Sequence, residues 1–264
     1  SGFVGGYTSL AVDSSGNPRI SYYHSGYGDL KYVAHNGASW TKTTVDSSGD
    51  VGLYTSLALD PITQYPCISY YNGTNRDLKY AAWNGASWVC QTVDSSGDVG
   101  RDTSLALDSS GNPRISYLDY TSRDLKYARW TGSAWAIETV DSAGDVGWYT
   151  SLALDPASGY PRISYYDKTN GHLKYASWDG ASWTITTVDS SGNVGYYTSL
   201  ALDSSGNPRI SYYDVTNGDL KYAKTPVIPQ IAADTVNGPA PLTVNFTASA
   251  TNAMAMPTQW VWAF

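Results

Sequence analysis

"TSLALDPASGYPRISYYDKTNGHLKYASWDGASWTITTVD", residues 150–189, holds four short runs of strand-forming residues: 150–155, 161–167, 172–178 and 182–189. Val, Ile, Thr and Tyr dominate the runs, and Gly, Asn, Asp and Pro fill the gaps, which is how strands and tight turns are written. An Asp-Gly pair at 179–180 joins the last two runs and supplies the positive φ that a hairpin turn needs. Helical spacing of apolar residues is absent.

The same text recurs along the chain. "TSLA" followed by Val or Leu and Asp begins at Thr8, Thr55, Thr103, Thr150 and Thr198, so the period alternates between 47 and 48 residues. Four antiparallel strands per repeat of this length predict the blade of a β-propeller, and five copies predict five blades over residues 1–225. Strands A to D of each blade then run from the axis outward. A solenoid would call for atypical capping repeats, and the copies are too alike for that.

Repeat phrases such as "TSLALDSSGNPRISYYD" and "DLKYA" resemble those of propellers in exported prokaryotic surface proteins. The resemblance spans residues 1–225; it implies the fold and an extracellular or cell-surface setting, and little about activity. Residues 226–264 differ in composition. "GPAPLTVNF", Gly238 to Phe246, resembles the opening of a polycystic-kidney-disease-type domain, an Ig-like β-sandwich. That pattern breaks at Ala263, where the family carries Asp. This tail implies a linker and partial Ig-like segment, and Leu242, Val244, Phe246, Trp260 and Trp262 are its candidate assembly residues.

The fifth copy stops after "DLKYAK" without its fourth run, and Ser1 to Gly5 align with Ser48 to Gly52, in the linker before strand A. Three ways to finish that blade follow: three strands suffice, residues 226–236 fold back, or another chain donates a strand. The last would make the protein an assembling one, a fibre or surface array with copies of itself as partners.

Composition narrows the function. Of 264 residues 14% are aromatic and 15% charged, with a net charge of −7 and no run of Lys or Arg, which excludes a phosphate-backbone partner. No apolar stretch reaches membrane-spanning length. A first residue of Ser rather than Met suits an exported, processed chain. The acids are Asp with one exception, Glu138, which reads as a solvated strand residue; a glycosidase needs two carboxylates in unlike environments, which near-identical copies do not supply. His24, His35 and His172 occupy three unrelated repeat positions. The expectation is a chain without catalysis or cofactor. Asp-rich loops such as Asp46 to Asp50 could hold calcium, but they lack the EF-type spacing and read as turn caps.

The repeated Arg19, Arg114, Arg162 and Arg209, and the Lys31 series, should pair with those aspartates. Cys67 and Cys90 fall on strands B and D of one blade; with strand C between them, their separation of roughly 9–10 Å exceeds disulfide reach. Asn72 and Asn245 sit in glycosylation sequons. Between copies, the D–A and B–C loops vary most and share one face of the disc. Leu53, Arg76, Arg101, Tyr120, Arg123, Trp148, Lys168 and Tyr196 are therefore the candidate interaction face. The main expectation is a non-catalytic structural or interaction protein. A multivalent lectin-like propeller, binding glycan on repeated aromatics, is the alternative.

Overall fold

The computed structural model describes residues 3–224 and the backbone of two short strands beyond them. The strands of the first blade are β1 (Val4–Val12), β2 (Pro18–His24), β3 (Asp29–His35) and β4 (Trp40–Asp46). The second has β5 (Val51–Leu59), β6 (Pro66–Asn72), β7 (Asp77–Trp83) and β8 (Trp88–Asp94); the third has β9 (Val99–Leu107), β10 (Pro113–Asp119), β11 (Asp124–Trp130) and β12 (Trp135–Asp141). The fourth has β13 (Trp148–Leu154), β14 (Pro161–Asp167), β15 (His172–Trp178) and β16 (Trp183–Asp189). Each set forms an antiparallel four-stranded sheet in chain order. A fifth sheet has only three strands, β17 (Val194–Leu202), β18 (Pro208–Asp214) and β19 (Asp219–Lys224). No helix of the described residues is long and apolar enough to cross a membrane.

Strand A starts several residues earlier than the sequence suggests, because a bulge re-registers it. Pairing shifts between Val51 and Leu53 and again between Leu53 and Ser56. The residue before the repeated Thr is left with positive φ in every copy: Tyr7, Tyr54, Asp102, Tyr149 and Tyr197, at 50° to 54°.

The core is a series of laminations between blades. Leu30, Tyr32 and Val45 of the first blade pack on Val51, Leu57, Ile68 and Tyr70 of the second, and three further junctions repeat the pattern. Burying a Leu such as Leu78 fully contributes roughly 1.5–3 kcal/mol. Tyr70, Tyr117 and Tyr165 are wholly buried, so their hydroxyls must be paired. Each donates to the Asp that ends strand D of the preceding blade: Asp46 at 2.6 Å, Asp94 at 2.7 Å and Asp141 at 2.6 Å. Lys79 and Lys174 donate to Asp46 and Asp141 at 2.5 and 2.6 Å, the pairing the repeated Lys predicted.

The Arg series pairs inside its own blade, Arg19 with Asp13 at 2.7 Å and Arg114 with Asp108 at 2.8 Å. The Asp-rich loops are turn caps. Asp13 accepts the amides of Ser15 and Asn17, and its bond from the Asn17 amide leads in holding the carboxyl down at about 2. Among the described residues no group of three His, Cys, Asp or Glu converges as a metal site. Cys67 and Cys90 are both free thiols, Cys67 buried and Cys90 exposed.

Beyond the blades, β20 (Gln230–Ala233) pairs with β21 (Phe246–Ser249) in a separate two-stranded sheet. Leu242, Val244, Trp260 and Trp262 lie outside the described residues.

Candidate functional site

Two pockets open between blades, one at the first junction and one at the third. The third junction holds about 370 Å³ lined by Arg114, Tyr127, Arg129 and Glu138 from one blade and Tyr160, Pro161 and Trp178 from the next. Sheet register places them: Tyr127 stands opposite Glu138, and Arg114 opposite Arg129 two residues along, so strands B, C and D all contribute polar groups to the pocket. The facing blade supplies Tyr160 from its A–B turn and Trp178 from the end of β15. The first junction holds about 360 Å³ with the same plan, Arg19, Tyr32 and Thr43 facing Gln64, Tyr65, Pro66, Trp83 and Trp88.

Tyr65 and Tyr160 are there because the A–B turn is one residue longer in copies two and four. "DPITQYP" and "DPASGYP" replace the "DSSGNP" of the other copies. That insertion is the physical content of the alternating period. Room for each phenol comes from a glycine of the C–D turn: a side chain on Gly85 would meet the Tyr65 hydroxyl at 2.9 Å, and one on Gly180 the Tyr160 hydroxyl at 2.6 Å.

The first pocket carries unused polar capacity. Arg19 Nε and Thr43 Oγ1 line the first and are buried without a hydrogen-bond partner. Trp183 Nε1 is likewise buried and unpaired; its ring packs edge-on against Tyr127 of the other pocket, at 5.5 Å between centroids. Burial pushes the Tyr127 phenol up to about 12, so it stays a neutral donor. Glu138 is half-buried in this pocket rather than solvated, because the next blade's turn rises over strand D.

The opposite edge carries the D–A and B–C loops, tied together as their shared face requires: the Asp50 amide donates to Thr74 Oγ1 at 2.8 Å, and Asp98 to Thr121 likewise. Of the candidate interaction residues four converge. Arg101, clamped on Asp98, lies 3.9 Å over the Tyr120 ring; Tyr120 meets Trp148 edge-on at 5.8 Å; Lys168 sits 4.3 Å over Trp148. Arg76 and Arg123 are exposed, and Leu53 and Tyr196 half-buried. The same edge holds the positive-φ set. Tyr7 stacks near Tyr54 and Tyr149 near Tyr197, each pair at 4.6 Å, and Asp102 accepts the Tyr149 amide at 3.0 Å. Burial pushes the Asp102 carboxyl up to about 6, against the lowering effects of that bond and of Arg101. Sequence reading passed over these five residues, although "Val-Gly-x-x-Thr" flags their position in every copy.

Asn72, the acceptor of one sequon, is buried; its Oδ1 accepts the amides of Thr74 and Asn75. It caps a loop and offers no exposed amide for glycosylation.

No protein-family model matches the chain, and no curated protein does. Solved structures do. The SapL1 lectin in complex with alpha methyl fucoside is 16% identical over 94% of this chain and 90% of that one, with a TM-score of 0.56. A Hadza microbial sialidase, Hz136, is 12% identical over 84% and 56%, also at 0.56. An exo-beta-1,3-galactanase from Clostridium thermocellum is 11% identical over 92% and 61%, at 0.50. At such identities the likeness is one of fold. By its repeated sheets and these neighbours, the chain is an all-β repeat protein of propeller architecture.

Proposed function

We propose that this chain is a carbohydrate-binding propeller whose sites are the crevices between blades. The observation that carries the reading is the pocket chemistry. Each pocket sets indole and phenol rings beside a guanidinium, with unpaired polar atoms of Arg19 and Thr43 in the first, and a pyranose has the matching surfaces: an apolar C–H face for the rings and a rim of hydroxyls for the donors and acceptors. Glu138 adds a carboxylate acceptor in one pocket, where the other has Thr43. The lectin among the fold's neighbours supports the sugar class.

The reading is non-catalytic. Glycoside hydrolysis ordinarily uses two flanking carboxylates, and Glu138 is the one acid lining either pocket. Five blades and an Ig-like appendage over residues 226–264, working outside the cell, complete the proposal; this part rests on the sequence resemblance. A glycan array probed with the full chain tests it, together with a chain carrying Trp83→Ala and Trp178→Ala. Binding of particular saccharides by the first and its loss in the second is the expected result. Binding of none, or release of reducing sugar from any of them, sinks it.

A second reading, a protein-binding face, is favoured by the Arg101–Tyr120–Trp148–Lys168 cluster, residue types common at binding hot spots. Trp148→Ala separates the two, since it leaves both inter-blade pockets intact.

A further inference from the structure

Strand A of each blade holds one residue at positive φ, and in the second, third and fourth blades these are Tyr54, Asp102 and Tyr149, on the neighbouring strands β5, β9 and β13. Where tyrosines follow one another in this set their rings stack, Tyr7 near Tyr54 and Tyr149 near Tyr197, each pair at 4.6 Å between centroids. Asp102 interrupts the stack. A carboxylate ends where the ring of a Tyr would begin, so between Tyr54 and Tyr149 the volume of one ring is not filled from this position.

Asp102 is held from the side of the fourth blade. Its Oδ2 accepts the Tyr149 amide at 3.0 Å, and its carbonyl accepts the Thr150 hydroxyl at 3.1 Å. Among the described residues Oδ1 accepts no hydrogen bond, and no Lys, Arg or His forms an ion pair with the group. Arg101, the neighbouring cation, is engaged elsewhere: Nε and Nη2 donate to Asp98 at 3.0 and 2.7 Å, and the guanidinium lies over Tyr120. The carboxylate is half-buried and so can be reached, and burial raises its pKa because it ionises without a partner of its own. Burial also raises the pKa of the Tyr54 and Tyr149 phenols, and the Asp102 charge adds to both, so the three groups lie within electrostatic reach of one another.

We propose that Asp102, Tyr54 and Tyr149 form a binding site for a small primary alkylammonium ion. The neutral phenol rings attract a cation, Oδ1 accepts one of its N–H groups, and a slender alkyl stem occupies the room of the missing ring. A metal ion is not matched: among the described residues no second and third His, Cys, Asp or Glu join Asp102. The site shares no residue with the two inter-blade pockets, so it stands apart from sugar binding.

Ligand-observed NMR titration of the full chain with n-butylammonium at neutral pH, beside n-butanol as the uncharged probe of the same length, tests the proposal. The ammonium should bind and the alcohol should not. Asp102→Asn keeps the shape and tolerates the positive φ, so it should stay folded, and a loss of affinity of roughly tenfold or more then reports the missing charge. Tyr149→Asn and Tyr54→Asn each remove one ring and should weaken binding by about two- to fivefold, with circular dichroism checking that each chain remains folded. Absence of n-butylammonium binding at the highest attainable concentration overturns the proposal. So does n-butanol binding as tight as that of the ammonium, or an affinity that Asp102→Asn leaves unchanged.

Discussion

Gly52 rests on the backbone of Leu30, so close that a methyl group there would lie 2.8 Å from the Leu30 Cα. Its φ of +100° also belongs to glycine. Gly100 repeats both features against Leu78 at 2.6 Å. Gly100→Ala should therefore combine backbone strain of about 1–2 kcal/mol with about 1–3 kcal/mol for forcing two packed blades apart. Gly5→Ala should cost the strain alone, since open space surrounds it. Urea denaturation at low protein concentration measures the difference; equal losses would contradict the packing argument.

Asp46 joins two blades by accepting from both Lys79 and Tyr70. Burial raises its pKa, but the bonds from Lys79, Ser48 and Tyr70 outweigh burial and hold the carboxyl at about 2. A folded pKa below the unfolded value of roughly 3.9 means stability that is complete above about pH 4 and is lost as pH falls through 2. Asp141 is shifted the same way. Melting temperature should fall steeply across that window. Asp46→Asn should destabilise by about 3 kcal/mol at neutral pH, leaving the half-buried Lys79 without its carboxylate partner, and by much less near pH 2.

Asp102 has the opposite sign. Burial raises its carboxyl to about 6, so folding favours the protonated form, and stability declines as pH rises from about 4 to 6. Asp102→Asn should raise stability at pH 7 by ~1–3 kcal/mol and change little at pH 4. Asn also tolerates the positive φ of this position. A variant less stable at pH 7 would show that the carboxylate is held by something stronger than the Tyr149 amide.

Cys90 is exposed and Cys67 buried, and burial raises the pKa of both thiols. In the native state a maleimide should label one thiol, slowly, and a second only on unfolding. Rapid labelling of two would mean that the second blade opens readily.

The blades were legible in sequence because the repeat writes strand and turn signals five times over, and the aspartate caps because Asp-Ser-Ser-Gly-Asn is a local code. Sites were harder, since each is made across a junction. Glu138 lies far in sequence from Tyr160 and Trp178, and nothing local says that a turn in the next copy shelters it. The extra Tyr of "DPASGYP" was the available signal.

Titration calorimetry of the full chain with a methyl glycoside selected on the array tests the carbohydrate reading most directly. Two sites per chain are predicted, one at the Arg19–Trp83 junction and one at the Arg114–Trp178 junction, with Trp178→Ala removing the second and leaving the first. Absence of binding heat with every glycoside, or a stoichiometry that neither Trp83→Ala nor Trp178→Ala lowers, would contradict it.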